Sequence, residues 1–205
     1  MQSGASELGG SGAIIMSTAA GGQQGDSGGI RLQTGVSNSG SSGAAEIITG
    51  ASKDGPGGDI TINVGDGSAR GDGGNVFIEA GDTTSEQGTG GSVVIGAGDG
   101  QSTFPIDGGN GGDVSITAGR GFGGNPVSDV GGDVIVEGGS SSASRGGAVE
   151  VRSGVGEGTQ PSGQVIVETA EGSMRGGGSG EVQIRTGAGI GSGVSGGLEL
   201  SSGAS

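Results

Sequence analysis

Aliphatic and polar residues alternate in a short unit that recurs twelve times along the chain. The unit reads Gly-x-aliphatic-x-aliphatic-x-small-Gly, as in residues 58–65. We call its first residue the opening glycine and its last residue the closing position, which is glycine in ten of the twelve units. A tandem repeat of this regularity limits the architecture more than any single residue does. The opening glycines are Gly12, Gly28, Gly43, Gly58, Gly74, Gly91, Gly112, Gly132, Gly147, Gly163, Gly180 and Gly196.

Two aliphatic slots follow each opening glycine, at distances of two and four residues. Residues two apart lie on the same side of an extended strand, and Val and Ile favour that backbone. Each unit therefore predicts one strand with an apolar face. The first slot holds Ile14, Ile30, Ala45, Ile60, Val76, Val93, Val114, Val134, Val149, Val165, Val182 and Leu198. The second slot holds Met16, Leu32, Ile47, Ile62, Ile78, Ile95, Ile116, Val136, Val151, Val167, Ile184 and Leu200.

Successive first-slot residues are 15 to 21 residues apart, which leaves room for one strand and one glycine-rich return segment. We expect each return to consist of turns and a thin second side. One strand cannot bury its apolar face alone, whereas stacked coils bury it between neighbours. The sequence therefore predicts an all-β fold, a parallel β-solenoid (short-coil β-helix) of about twelve coils of 15–17 residues, two of them enlarged. Residues 1–205 would form a single repeat domain.

This fold predicts the orientation of individual residues. Ile62 and Ile116 should face the core, and Thr61 and Ser115 should face solvent, because successive side chains of a strand alternate. Glycine at the closing position fits a corner that needs a positive φ or a close backbone approach. Both expectations depend on stacked coils.

A series of charged residues also favours stacking. The position after the second aliphatic slot holds Glu137, Arg152, Glu168 and Arg185 in four consecutive units. Opposite charges on neighbouring strands stabilise pairing, whereas like charges oppose it. We therefore expect these side chains to form a ladder across adjacent coils.

Composition excludes several classes of function. Glycine occupies 58 of 205 positions, and His and Cys are absent, which removes the usual general bases, thiol nucleophiles and transition-metal ligands. The net charge of −14 argues against binding nucleic acid, whose phosphates require clustered Lys and Arg. No apolar run approaches the roughly 20 residues of a membrane span, so we expect no integral membrane contact. We predict that the chain is not an enzyme and uses no cofactor.

Calcium is the one metal that the acidic composition leaves open. A calcium β-roll needs Gly-Gly-x-Gly-x-Asp in a nine-residue repeat. Residues 108–113 match this motif, but no second nonapeptide follows. Asp59, Asp113 and Asp133 share one position of the unit, and other residues fill it elsewhere. We expect no calcium site in every unit, and a few weak sites stay open.

Two returns are longer than the others and hold scarce apolar residues. Insertions between Val93 and Val134 contain two of the three Phe residues of the chain. Such residues either cap a thin part of the core or form a contact patch for a neighbouring chain or ligand, since insertions in solenoids map to one face. The candidate contact patch is Phe104, Ile106, Phe122 and Val127.

The terminal residues do not resemble solenoid caps, which cover unpaired strand groups at the ends of such folds. We therefore expect either a piece of a longer array or a filament in which copies of the chain, or neighbouring solenoid segments, stack end to end.

Units such as Gly57-Gly58-Asp59-Ile60 and Gly111-Gly112-Asp113-Val114 resemble the Gly-Gly-Asp-Val tandem repeats of large glycine-rich extracellular proteins of algae and other protists. The resemblance implies an extracellular or cell-surface location and a structural role. The resulting functional prediction is a non-enzymatic structural building block of an extracellular filament or cell-surface appendage. The alternative is an ice-binding or adhesive protein that binds a carbohydrate or a cation.

Overall fold

The backbone of a computed structural model contains neither a helix nor a strand over the residues that it describes, which are 2–6, 10–68, 71–104, 106, 108–125, 127–174 and 176–203. The predicted all-β class, the parallel β-solenoid with its twelve stacked coils, is therefore wrong for these residues. The chain divides into two compact parts, Met1–Val94 and Ile95–Ser205, and each part contains several copies of the repeat unit. The assignment of residues 1–205 to a single domain stays a prediction.

No hydrophobic core forms among the described residues, because none of their side chains is buried. The accessible surface of the chain is 20238 Å². A compact protein of this mass would expose about 8,300 Å², and its fully unfolded chain would expose about 27,000 Å². The repeat is therefore organised locally, without the burial that stacked coils would provide.

The predicted core positions show this difference directly. Ile62 and Ile116 are 71% and 73% exposed, although the solenoid register placed both of them inside. Thr61 and Ser115 are exposed as predicted, but so are their aliphatic neighbours. The alternation of the sequence therefore does not separate an inner face from an outer face in this structure.

The physical reason lies in the backbone hydrogen bonds. In a solenoid the N–H and C=O groups of each strand pair with those of the next coil. In five returns of the described chain the amide of the opening glycine instead donates to the carbonyl of the preceding closing position, as in Gly91 N–H to Gly81 C=O at 2.8 Å and Gly132 N–H to Gly119 C=O at 2.9 Å. The two ends of each such return therefore bond to one another. Within the described residues, no backbone hydrogen bond joins two aliphatic segments.

The first aliphatic slot retains partial shielding. Apart from Ala45, its side chains are 49% to 58% exposed, whereas those of the second slot are 59% to 84% exposed. First-slot residues lie two residues from the opening glycine, and that glycine packs against the small residue of the preceding unit. A Cβ built on Gly132 would lie 3.6 Å from the Cβ of Ala118, which is itself partly buried. The closed end of this return therefore brings neighbouring repeats into contact.

Glycine at the closing position has a different role from the one that we expected. No atom lies within 4 Å of a Cβ built on any of the ten closing glycines. The glycines with positive φ in the described chain are instead Gly158, Gly176 and Gly191, which lie inside returns. The prediction of a strained or crowded closing corner is therefore wrong.

The charge ladder also depended on stacked coils and lacks them here. Arg152 pairs with Glu150 of its own segment, at 2.6 Å between Nη2 and Oε2. No other ion pair occurs among the described residues. Residues two apart share one side of an extended backbone, which explains the pair. The charges of this segment are matched within the unit.

Candidate functional site

The hydrogen bonds of the described residues lie mainly in the glycine-rich returns, and several returns have a turn near the tip. The backbone carbonyls of Ser85, Glu157 and Ile190 each accept a hydrogen bond from the amide three residues later, over N–O distances of 3.1 to 3.3 Å. Gly158 and Gly191 follow two of these carbonyls with φ of 65° and 67°, a conformation that glycine adopts without a steric penalty. The expectation of turns in the returns agrees with these bonds.

Serine begins several of the turns through its side chain. The hydroxyl oxygens of Ser37 and Ser52 each accept a hydrogen bond of 3.0 Å from the amide of a glycine three residues later. Ser141 Oγ accepts one from the Ser144 amide, also at 3.0 Å. Serine replaces a backbone carbonyl in such turns because its hydroxyl reaches nearby amides. The many serines of the returns therefore have a local structural role.

Close approach between the two arms of a return occurs two residues after the closing position. A Cβ on Gly67 would lie 2.7 Å from the carbonyl oxygen of Asp72, and one on Gly121 would lie 2.6 Å from that of Val130. Real Cβ atoms do not come this close to backbone atoms. The Gly-x-Gly sequence at the start of these returns is therefore what allows their arms to meet. We expected the position that only glycine can occupy to be the closing position. The Gly-x-Gly spacing shows that it lies two residues later.

Return 119–132 carries the densest set of hydrogen bonds. The Asn125 amide donates to Asp129 Oδ2 at 2.7 Å, and the Asp129 amide donates to the Asn125 carbonyl at 3.0 Å. Asn125 Oδ1 also accepts from the Val127 amide at 3.0 Å. Asn and Asp side chains form such turns with amides two residues or more away. These reciprocal bonds hold the tip while the Gly132–Gly119 bond closes the base.

The predicted contact patch is exposed but divided between two returns. Phe104 and Ile106 lie in return 98–112 and are 61% and 88% exposed. Phe122 and Val127 lie in return 119–132 and are 83% and 86% exposed. The expectation that such residues cap the core is wrong in this part of the chain, since no core forms there. Their role in binding a partner stays a prediction.

An arginine covers one ring of this patch. The guanidinium carbon of Arg120 lies 4.9 Å from the centroid of the Phe122 ring, within the range of a cation–π interaction. At an exposed position this contact contributes about 0.5–1 kcal/mol. It orients the ring without burying it.

Other kinds of site are not seen in the described ranges. They contain no cavity and no group of three or more acidic side chains arranged to hold a metal ion. The weak calcium sites therefore stay a prediction. No helix long and apolar enough to cross a bilayer occurs among these residues.

No protein-family model, curated protein or solved structure matches the chain. The resemblance to glycine-rich algal and protist repeats stays a prediction from its motifs.

Proposed function

We propose that the chain is a non-enzymatic structural protein that associates with copies of itself in an extracellular filament or cell-surface appendage. The observation that supports this proposal most directly is the exposure of both aliphatic slots in all twelve units. Apolar area that one chain leaves in water is stabilised when a second chain covers it, at about 25 cal/mol per Å². Repetition makes this gain cumulative along the chain.

The local geometry agrees with a role based on repetition. The same contact between an opening glycine and the preceding small residue occurs at Gly112 with Ala97 and at Gly163 with Ser153, each at 3.6 Å from a built Cβ. A feature that recurs in this way presents equivalent surfaces at regular intervals along the sequence. Identical subunits of a polymer can bind one another through such equivalent surfaces.

Net charge opposes association and should therefore control it. The formal charge is −14 at pH 7, and the sequence pI is about 4.1. Like-charged chains repel at low ionic strength, and salt screens this repulsion over a distance of about 8 Å at 0.15 M. Association should increase as salt is added and as the pH falls toward the pI.

Sedimentation velocity and negative-stain electron microscopy of the purified chain would test the proposal. We expect larger species and filaments to appear as protein or salt concentration rises. A chain that stays monomeric at high concentration in 0.15 M salt contradicts a self-assembling function. Measurable thermal hysteresis would instead support the ice-binding alternative. Antibody labelling of intact, non-permeabilised cells would test the extracellular location.

A further inference from the structure

The segment 180–186 differs from the other eleven aliphatic segments in its charges. The three positions that alternate with its aliphatic slots hold Glu181, Gln183 and Arg185, so an acid and a base lie symmetrically about the central glutamine. No other unit has opposite charges at the first and third of these positions. The apolar residues Val182 and Ile184 also lie symmetrically about Gln183. Reversing the direction of this segment therefore preserves its pattern.

The structure leaves this segment unpaired. Residues 177–190 run without a turn or bend, and both Val182 and Ile184 are exposed. Among the described residues, no backbone hydrogen bond is formed by residues 181–185. A segment with free backbone N–H and C=O groups is a template for pairing with another chain.

Among the described residues, Glu181 and Arg185 form no ion pair with one another. Glu181 and Arg185 are four residues apart, which corresponds to roughly 13 Å along an extended backbone. Glu150 and Arg152 are only two residues apart and form an ion pair at 2.6 Å. One segment thus pairs its own charges, and the other presents them to a partner.

We propose that a second copy of this chain pairs antiparallel with residues 181–185, centred on Gln183. This proposal rests on the proposed self-association and names the contact that sets its orientation. In this register Glu181 lies opposite Arg185 of the other copy, and Val182 lies opposite Ile184. Residues directly opposite one another in an antiparallel pair point to the same face, with Cβ atoms about 4.5–5.5 Å apart. Two ion pairs and two apolar pairs therefore form by symmetry.

Parallel pairing in register has the opposite electrostatic outcome. It would place Glu181 beside Glu181 and Arg185 beside Arg185, and like charges directly opposite one another are destabilising. The contact involves only five residues from each copy, whereas a stable interface uses about 20–30 residues on each side and buries roughly 1,200 Å² or more. It therefore fixes orientation, while the other exposed segments add affinity through multivalency.

Charge reversal tests the pairing. Glu181→Arg or Arg185→Glu alone converts both ion pairs into repulsive pairs, and we expect about tenfold weaker self-association, or roughly 1.4 kcal/mol, by sedimentation equilibrium. The double variant E181R/R185E should restore the wild-type constant. Glu199→Arg is the matched control, because it makes the same change of charge in a segment that has no cation. We expect it to leave the constant unchanged or to strengthen association slightly by reducing net charge.

Mixing experiments determine the orientation. An antiparallel contact predicts that wild-type chains and E181R/R185E chains each associate with themselves and avoid one another. Preferential mixing of these two forms would show parallel pairing and overturn the proposal. A double variant as weak as the single variants would overturn it as well. If wild-type chains associate but none of the variants differs, the segment is wrong while the proposed function stands; if wild-type chains do not associate, both fail.

Discussion

Replacing Gly121 with alanine should open return 119–132. The new Cβ would lie 2.6 Å from the carbonyl oxygen of Val130 and 3.0 Å from that of Asp129. Both contacts are with backbone atoms, so no side-chain rotation relieves them. The arms must separate, and separation breaks the Gly132–Gly119 hydrogen bond at the base of the return.

The expected loss of stability of the closed return depends on which of its hydrogen bonds break when the arms separate. The base hydrogen bond contributes about 0.5–1.5 kcal/mol net. The bonds between Asn125 and Asp129 involve residues only four apart, so they can survive when the base opens. We therefore expect the closed form to lose about 0.5–1.5 kcal/mol, which is a change of roughly 2- to 13-fold in the ratio of closed to open return.

NMR measures this change at the bond itself. The scalar coupling through the hydrogen bond from Gly132 N to the Gly119 carbonyl carbon should disappear in Gly121→Ala, and the Gly132 amide should exchange faster. Gly119→Ala is the matched control, because no atom lies within 4 Å of its built Cβ. An unchanged coupling in Gly121→Ala, or an equal loss in both variants, would show that the close approach of the arms is not what closes the return.

Other substitutions and conditions test the remaining features. Calorimetry should show no cooperative unfolding peak, since no side chain of the described residues is buried; a sharp transition would reveal a core. Ile116→Asp should leave the hydrodynamic radius unchanged because Ile116 is 73% exposed, and a marked expansion would contradict that exposure. Arg152→Ala should weaken local structure by less than about 1 kcal/mol, with amide shifts confined to residues near Glu150; shifts in neighbouring units would indicate a charge ladder. Glu137→Gln should not alter assembly measured by light scattering, because Glu137 is one exposed carboxylate among many.

Local features of the repeat could be predicted from the sequence. Turns follow from glycine and serine, whose conformational freedom and short hydroxyl side chain favour them. The tip bonds at Ser37 and Ser52 are examples. The opening glycine is present in all twelve units, and a Cβ built on it lies near the small residue of the preceding unit, as at Gly132 and Ala118. Such features involve a few neighbouring residues, which the sequence pattern describes directly.

Pairing between units could not be derived in the same way. The alternation at Ile60 and Ile62 shows which side chains lie on the same side of the backbone. It does not show which segment, of the same chain or of another, forms hydrogen bonds with that backbone. The solenoid prediction assumed that the next coil does so. In the structure the returns instead bond across their own bases, as at Gly91 and Gly81. The Gly-x-Gly signal could have favoured this outcome, because it lets two arms of one return approach.

The candidate patch shows the same limit. The sequence placed Phe104 and Phe122 in two long insertions and left open whether they cap a core or form a contact patch. Sequence spacing did not reveal that each insertion is closed as a separate return. The contact between Arg120 and Phe122 is local and had no periodic signal. Residues 181–185 were treated as one strand among twelve, since their symmetry matters only when two copies are considered.

The base hydrogen bond that closes five returns of the described chain also stores length. Glycines 98 and 112 are held together by a bond of 2.9 Å between N and O, and glycines 139 and 147 by one of 2.8 Å. Fully extended, the first of these stretches would span roughly 46–50 Å and the second roughly 26–29 Å. Tension along the backbone would therefore lengthen the chain stepwise, one closed return after another. In a fibre of the proposed kind each chain would extend in this way and shorten again as the bonds re-form.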